Sequence, residues 1–98
     1  MKSLQELFSD PSRWTQGANA RDANRVVTNI NDPTACSWCL LGGCVKIYTD
    51  SIFDELVDKL RQAIEQYTGQ DDSSPTAFND RPTTRIEDIQ AVVKLAGV

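Results

Sequence analysis

Ala35-Cys36-Ser37-Trp38-Cys39-Leu40-Leu41-Gly42-Gly43-Cys44-Val45-Lys46-Ile47-Tyr48 is the longest apolar-rich stretch of the chain, and its reading decides the fold. Ala35, Trp38, Cys39, Leu41, Val45 and Tyr48 recur at helical spacing, while Leu40, Cys44 and Ile47 put apolar groups on the other faces. Just upstream, Asp32-Pro33-Thr34 has the grammar of a helix start, a capping carboxylate followed by a proline. The spacing predicts one helix running from Ala35 to Tyr48, apolar nearly all round and therefore central in the core. Each glycine of the Gly42-Gly43 pair costs about 1 kcal/mol in a helix relative to alanine, so the pair predicts the close approach of a neighbouring element. Apolar surface that the neighbours leave uncovered would favour a symmetric homodimer, and monomer and homodimer both stay open.

Downstream, Ile52, Phe53, Leu56, Val57, Leu60, Ala63, Ile64 and Tyr67 form one apolar stripe on a helix beginning at Ser51 and stopped by Gly69. Opposite it, Glu55/Lys59 and Arg61/Glu65 are i,i+4 charge pairs. Gln70 to Pro82 has a loop composition. Thr84 to Glu87 reads as a capping box before a last helix with Ile86, Ile89, Val92, Val93 and Ala96 as its stripe and Gly97 as its stop. Upstream, Ser3 and Glu6 frame a short helix carrying Leu4, Leu7 and Phe8, and Asp10-Pro11 starts a further turn anchored by Trp14. Between Thr15 and Asp32 the asparagines favour turns, and a small hairpin or ordered loop fits, with its turn near Asp22 to Arg25 and a short strand through Val26, Val27 and Ile30. The expected fold is mainly α: residues 1–98 as a single globular domain, a small helical bundle of three principal helices with a short N-terminal helix and a small β-hairpin.

Composition narrows the function. Ninety-eight residues, 40% of them hydrophobic, suffice for one compact core and exclude a large enzyme. A formal charge of −4 with no run of Lys or Arg removes the main driving force for nucleic-acid binding. Glu6 and Asp10 interrupt the apolar stretch that a signal peptide requires, and 35–48 is shorter than the ~20 residues that span a bilayer, so neither export nor a membrane is expected. Three cysteines, an odd number confined to 36–44, suit reduced thiols in a cytoplasm. Without histidine, serine triads and Cys-His dyads are excluded.

Three segments together resemble a known family. Trp14-Thr15-Gln16-Gly17-Ala18 followed by Ala20-Arg21-Asp22-Ala23, then Trp38-Cys39-Leu40-Leu41-Gly42, then Phe78-Asn79-Asp80 ahead of a terminal amphipathic helix, are similar to DUF6197, a family of short uncharacterised bacterial and phage proteins. The resemblance implies a bacterial or phage origin, and hence a host cytoplasm if phage-encoded, but no activity. Members often carry Asp-Gly at the hairpin turn, where this chain has Asn24-Arg25. Arginine resists the left-handed conformation, which argues against a tight two-residue turn.

Cys36-Ser37-Trp38-Cys39 is a C-x-x-C, and a thiol at a helix N-terminus gains thiolate character, so Cys36 and Cys39 are the candidates for thiol redox chemistry. Buried packing thiols are the competing reading. Metal binding is not expected, because Cys36, Cys39 and Cys44 lack a histidine partner and, on one continuous helix, Cys39 and Cys44 diverge. No catalytic residue and no cofactor is assigned. The candidate binding set is Trp14, Gln16, Arg21, Asp22, Asn79 and Asp80, with Trp38 beside it: aromatics and an arginine suit a recognition patch. The same residues have a structural reading, with the tryptophans in the core, Arg21 and Asp22 pinning the loop and Asn79-Asp80 capping the last helix. The leading expectation is a small cytosolic, non-enzymatic protein that binds another protein. The alternatives are a small-ligand or enzymatic site between the 16–22 loop and residues 78–80, and a C-x-x-C redox protein.

Overall fold

Local chemistry sets the ends of most elements. Ser3 accepts a hydrogen bond from the Glu6 amide at 3.1 Å and caps α1 (Leu4–Leu7), whose Leu4 and Leu7 are buried. Asp10 caps a 3-10 turn, Pro11–Arg13, through the Ser12 amide, with Pro11 already holding the helical φ. The computed structural model describes residues 3–48, 53–69 and 74–98. Among these the chain is mainly α, with a two-stranded antiparallel sheet, β1 (Ala20–Asp22) and β2 (Ala35–Trp38), and four further helices: α2 (Leu40–Ile47), α3 (Phe53–Thr68), α4 (Pro75–Asp80) and α5 (Ile86–Ala96). Ser51 and Ile52, read as the start of α3, lie outside the described residues, as do residues 70–73.

The single helix expected over 35–48 is not formed. Its first four residues are the strand β2, and α2 begins only at Leu40. The Asp32-Pro33-Thr34 signal was real but closes a turn: the Asp32 carboxylate accepts from the Thr34 amide at 2.8 Å and from its hydroxyl at 2.6 Å, and the Ala35 amide donates back to the Asp32 carbonyl. An Asx turn and a helix cap use the same side-chain bond, so the local sequence does not separate them. Pairing with β1 decides the outcome, in the register Ala20 with Trp38, Arg21 with Ser37 and Asp22 with Ala35. Cys36 is skipped in that register, which makes it the extra residue of a bulge and leaves it exposed. The central helix is therefore short, and only part of its surface (Leu40, Gly42, Gly43 and Cys44) is buried.

The hairpin turn follows Asp22 and is wider than two residues, both as expected. The Arg25 amide donates to the Asp22 carbonyl, the Asp22 amide to the Val26 carbonyl, and Arg25 stands at φ +67°. This is a type I turn followed by a left-handed residue, the three-residue hairpin in which glycine is the usual occupant of the last position. Asp22 also accepts from the Asn24 and Val26 amides, which holds the turn in place against the conformational cost at Arg25. Beyond the turn, Val27 bridges Arg21, and on the far side of β2 Trp14 bridges Trp38 in parallel.

The core lies between α3 and α5, with α1, α2 and α4 closing it. Leu56, Leu60, Ala63 and Ile64 of α3 meet Ile89, Val92 and Val93 of α5, together with Leu4, Leu7, Phe8, Leu40 and Phe78. Each fully buried aliphatic side chain here contributes about 1.5–3 kcal/mol. Gly69 at φ +70° and Gly97 at φ +72° follow the two long helices, as their sequences predict. Two readings change. Residues 75–80, read as loop, are α4, capped by Ser74 through the Ala77 amide with Pro75 in its first turn. The start of α5 is one residue later than read: the Arg85 amide donates to the Asp88 carboxylate at 2.8 Å, while Thr84 donates its hydroxyl to the Phe78 carbonyl at 2.7 Å.

Candidate functional site

Asn79, at the last turn of α4 and fully buried, joins three parts of the chain. Its Oδ1 accepts from the Trp14 indole N–H at 2.7 Å and from the Leu40 amide at 2.9 Å. Its Nδ2 donates to the Thr15 carbonyl at 3.0 Å and to Asp80 Oδ1 at 2.9 Å. Two donors on one side and two acceptors on the other fix the amide orientation without ambiguity. The Leu40 amide is the first of α2, one of the orphan donors every helix leaves, and Asn79 supplies its acceptor from a segment 39 residues away.

A second amide of that helix start, that of Gly42, is served by Cys39. It is the N-cap of α2, with its Sγ accepting from the Gly42 amide at 3.2 Å and donating toward Asn19 Oδ1 at 3.7 Å. The C-x-x-C thus runs off a strand into a helix N-terminus, with Cys36 in the strand and Cys39 at the cap rather than both in the first turns of one helix. The electrostatics oppose redox work nonetheless: burial raises the Cys39 thiol above its ordinary pKa, against the pull of the Gly42 amide, and burial pushes Cys44 up to about 12.

Around this junction the 16–22 loop meets α4. Gln16 Nε2 donates to the carbonyls of Asn79 and Arg81 at 2.9 and 3.0 Å, and the Gly17 amide donates to Asp80 Oδ1 at 2.9 Å. Arg21 holds the loop from the other end, donating to the Arg25 carbonyl at 3.0 Å and the Gln16 carbonyl at 3.3 Å. Asp22 is occupied with the hairpin turn. Trp38 is buried, donates its indole N–H to the Ile30 carbonyl, and carries the Lys46 ammonium 5.7 Å over its ring.

Trp14, Gln16, Asn79 and Asp80 are therefore one network, with Arg21 linked to it through Gln16 and Asp22 at the hairpin turn. Asn79 and Asp80 do not cap α5, which uses Arg85 and Asp88. Most of the polar atoms of the set are spent on the fold. What they leave open is a cavity of about 360 Å³ lined by Gly17, Ala18, Asn19, Val27, Cys39, Thr76 and Asp80. Of the candidate binding set, Asp80 alone lines it. Val26 and Val27 beside it, which the sequence places on a strand and outside the candidate site, are 59% and 61% exposed. Two adjacent valines in a strand point to opposite faces, so one unburied face is the signal that was available.

Among the described residues, no three His, Cys, Asp or Glu side chains come together as metal ligands, and no helix is long and apolar enough to cross a membrane. No curated protein and no solved structure matches the chain. The family of unknown function DUF6197 matches residues 4–97, across all seven helices and strands described above, and the chain belongs to that family.

Proposed function

We propose that the protein is a non-enzymatic recognition module that binds another protein by its exposed sheet edge at residues 26–28. The observation that carries this reading is the orientation of Val27. Asp22 donates to the Val26 carbonyl and Thr28 to the Ala20 carbonyl, so Arg21 and Val27 form a non-hydrogen-bonded pair. In such a pair the N–H and C=O of Val27 face away from β1, and they point outward beside a side chain that is itself exposed. An extended segment of a partner gains main-chain hydrogen bonds at such an edge and side-chain contacts on Val26 and Val27. A reducing cytoplasm suits the three free thiols, and a bacterial or phage origin suits the family resemblance.

The test is affinity capture from the native host under reducing conditions, comparing wild type with Val27→Pro. Proline removes the outward N–H without touching a bond inside the hairpin. Wild type is expected to retain a stoichiometric partner, and the variant to melt within a few degrees of it while retaining at least ten-fold less. A folded variant that captures the same partner equally well contradicts the reading. A second reading, a small-ligand site, is favoured by the 360 Å³ cavity where the 16–22 loop meets α4, a volume at the low end for metabolite pockets. It predicts stabilisation of the melt by a member of a metabolite and nucleotide screen.

A further inference from the structure

We propose that the cavity beside this edge is a socket for a basic side chain, a lysine or an arginine, of the extended segment that pairs with Val27. The inference rests on the edge as the partner surface and adds the chemistry of what enters it. Val27 belongs to both features, since it forms the edge and also lines the cavity. A strand laid against it directs alternate side chains to the same face, so one of them meets the cavity mouth.

The walls select for a cation. Asp80 is the charged carboxylate in the lining, and no Lys or Arg is among the lining residues. Its Oδ1 is held by the Gly17 amide and by Asn79 Nδ2, both at 2.9 Å, which fixes the orientation of the carboxylate. Its Oδ2 has no hydrogen-bond partner among the described residues, and Asp80 is exposed. Asn19 and Thr76 also line the cavity, and both are residue types whose side chains carry oxygen acceptors of the kind an ammonium or guanidinium group requires. The thiol of Cys39 is buried there and competes for no cation. Arg21, the guanidinium nearest to Gly17, has donors engaged by the Gln16 and Arg25 carbonyls. The net charge of −4 steers a basic segment in the same direction.

The probes are three capped pentapeptides, acetyl-TVXVT-amide with lysine, norleucine or glutamate at X, titrated into isotope-labelled protein and followed by amide shifts at Val27, Thr76 and Asp80. The lysine peptide is expected to bind at least ten-fold more tightly than the other two, and Asp80→Asn, which keeps an oxygen for the Gly17 amide, to erase that difference while leaving the melt within a few degrees. Equal binding of all three peptides, or an unchanged preference in Asp80→Asn, overturns the socket and leaves the edge standing. A lysine preference that shifts Thr76 and Asp80 but not Val27, and that survives Val27→Pro, supports the socket and removes the edge. Absence of any shift with the lysine peptide up to about 5 mM overturns the socket.

Discussion

Asn79→Ala is expected to destabilise the fold by about 3–5 kcal/mol. The substitution leaves the Leu40 amide, the Trp14 indole N–H and the Thr15 carbonyl without their side-chain partner, and each polar group stranded in a buried setting costs about 1–3 kcal/mol. For a domain of this size that is a melting temperature lower by more than about 12 °C. Asn79→Asp is a sharper probe, because it keeps the shape and both acceptor contacts while losing the donors and placing a second carboxylate beside Asp80. It should also destabilise strongly at neutral pH. Urea melts of the two variants check this, and a loss below about 1 kcal/mol in Asn79→Ala would show that the network is dispensable.

Gly42→Ala is the second large effect, and its sign is the test. Alanine is the better helix former by about 1 kcal/mol, so local propensity alone predicts stabilisation of α2. A Cβ at residue 42, however, overlaps the Asn19 carbonyl oxygen and lies 3.1 Å from that carbonyl carbon, backbone atoms that move only if the loop moves. That same oxygen accepts from the Cys39 amide at 3.3 Å, so moving the loop also loosens the helix start. Overpacking of this kind costs about 1–3 kcal/mol, and a net fall in the thermal melt is expected. Gly43→Ala should cost less: its Cβ meets Phe8 Cζ at 2.9 Å and Leu7 Cδ2 at 3.0 Å, ends of side chains that can give way. A rise in stability for Gly42→Ala would contradict the close contact between α2 and the loop.

The periodicity of α3 and α5 was legible because both helices run long enough for the apolar stripe to repeat, and their glycine stops act locally. The close approach at Gly42-Gly43 was legible too, as a cost that only packing explains. The strand at Ala35–Trp38 was not, since four residues satisfy either period and the Asp32 turn imitates a helix start. Arg25 in the left-handed region goes against its own preference, which only the surrounding hairpin bonds override. The candidate site divides in the same way. Trp14, Gln16, Asn79 and Asp80 were readable as a set, and the meeting of the 16–22 loop with residues 78–80 was anticipated. That Asn79 caps a helix from 39 residues away leaves no trace in local sequence, and neither does the outward turn of the Val27 N–H and C=O, which depends on which hydrogen-bonding register the hairpin adopts.

At the centre stands one junction, a strand entering a helix at Leu40 with Asn79 closing the first amide. Hydrogen exchange at the Leu40 amide tests it most directly. The first amide of a helix ordinarily exchanges readily, because no carbonyl within the helix accepts from it. Here the amide should exchange as slowly as that of Ile64 in the core of α3, opening only when the whole domain unfolds. Exchange at the rate of an open first-turn amide would contradict the clasp and the fold built around it.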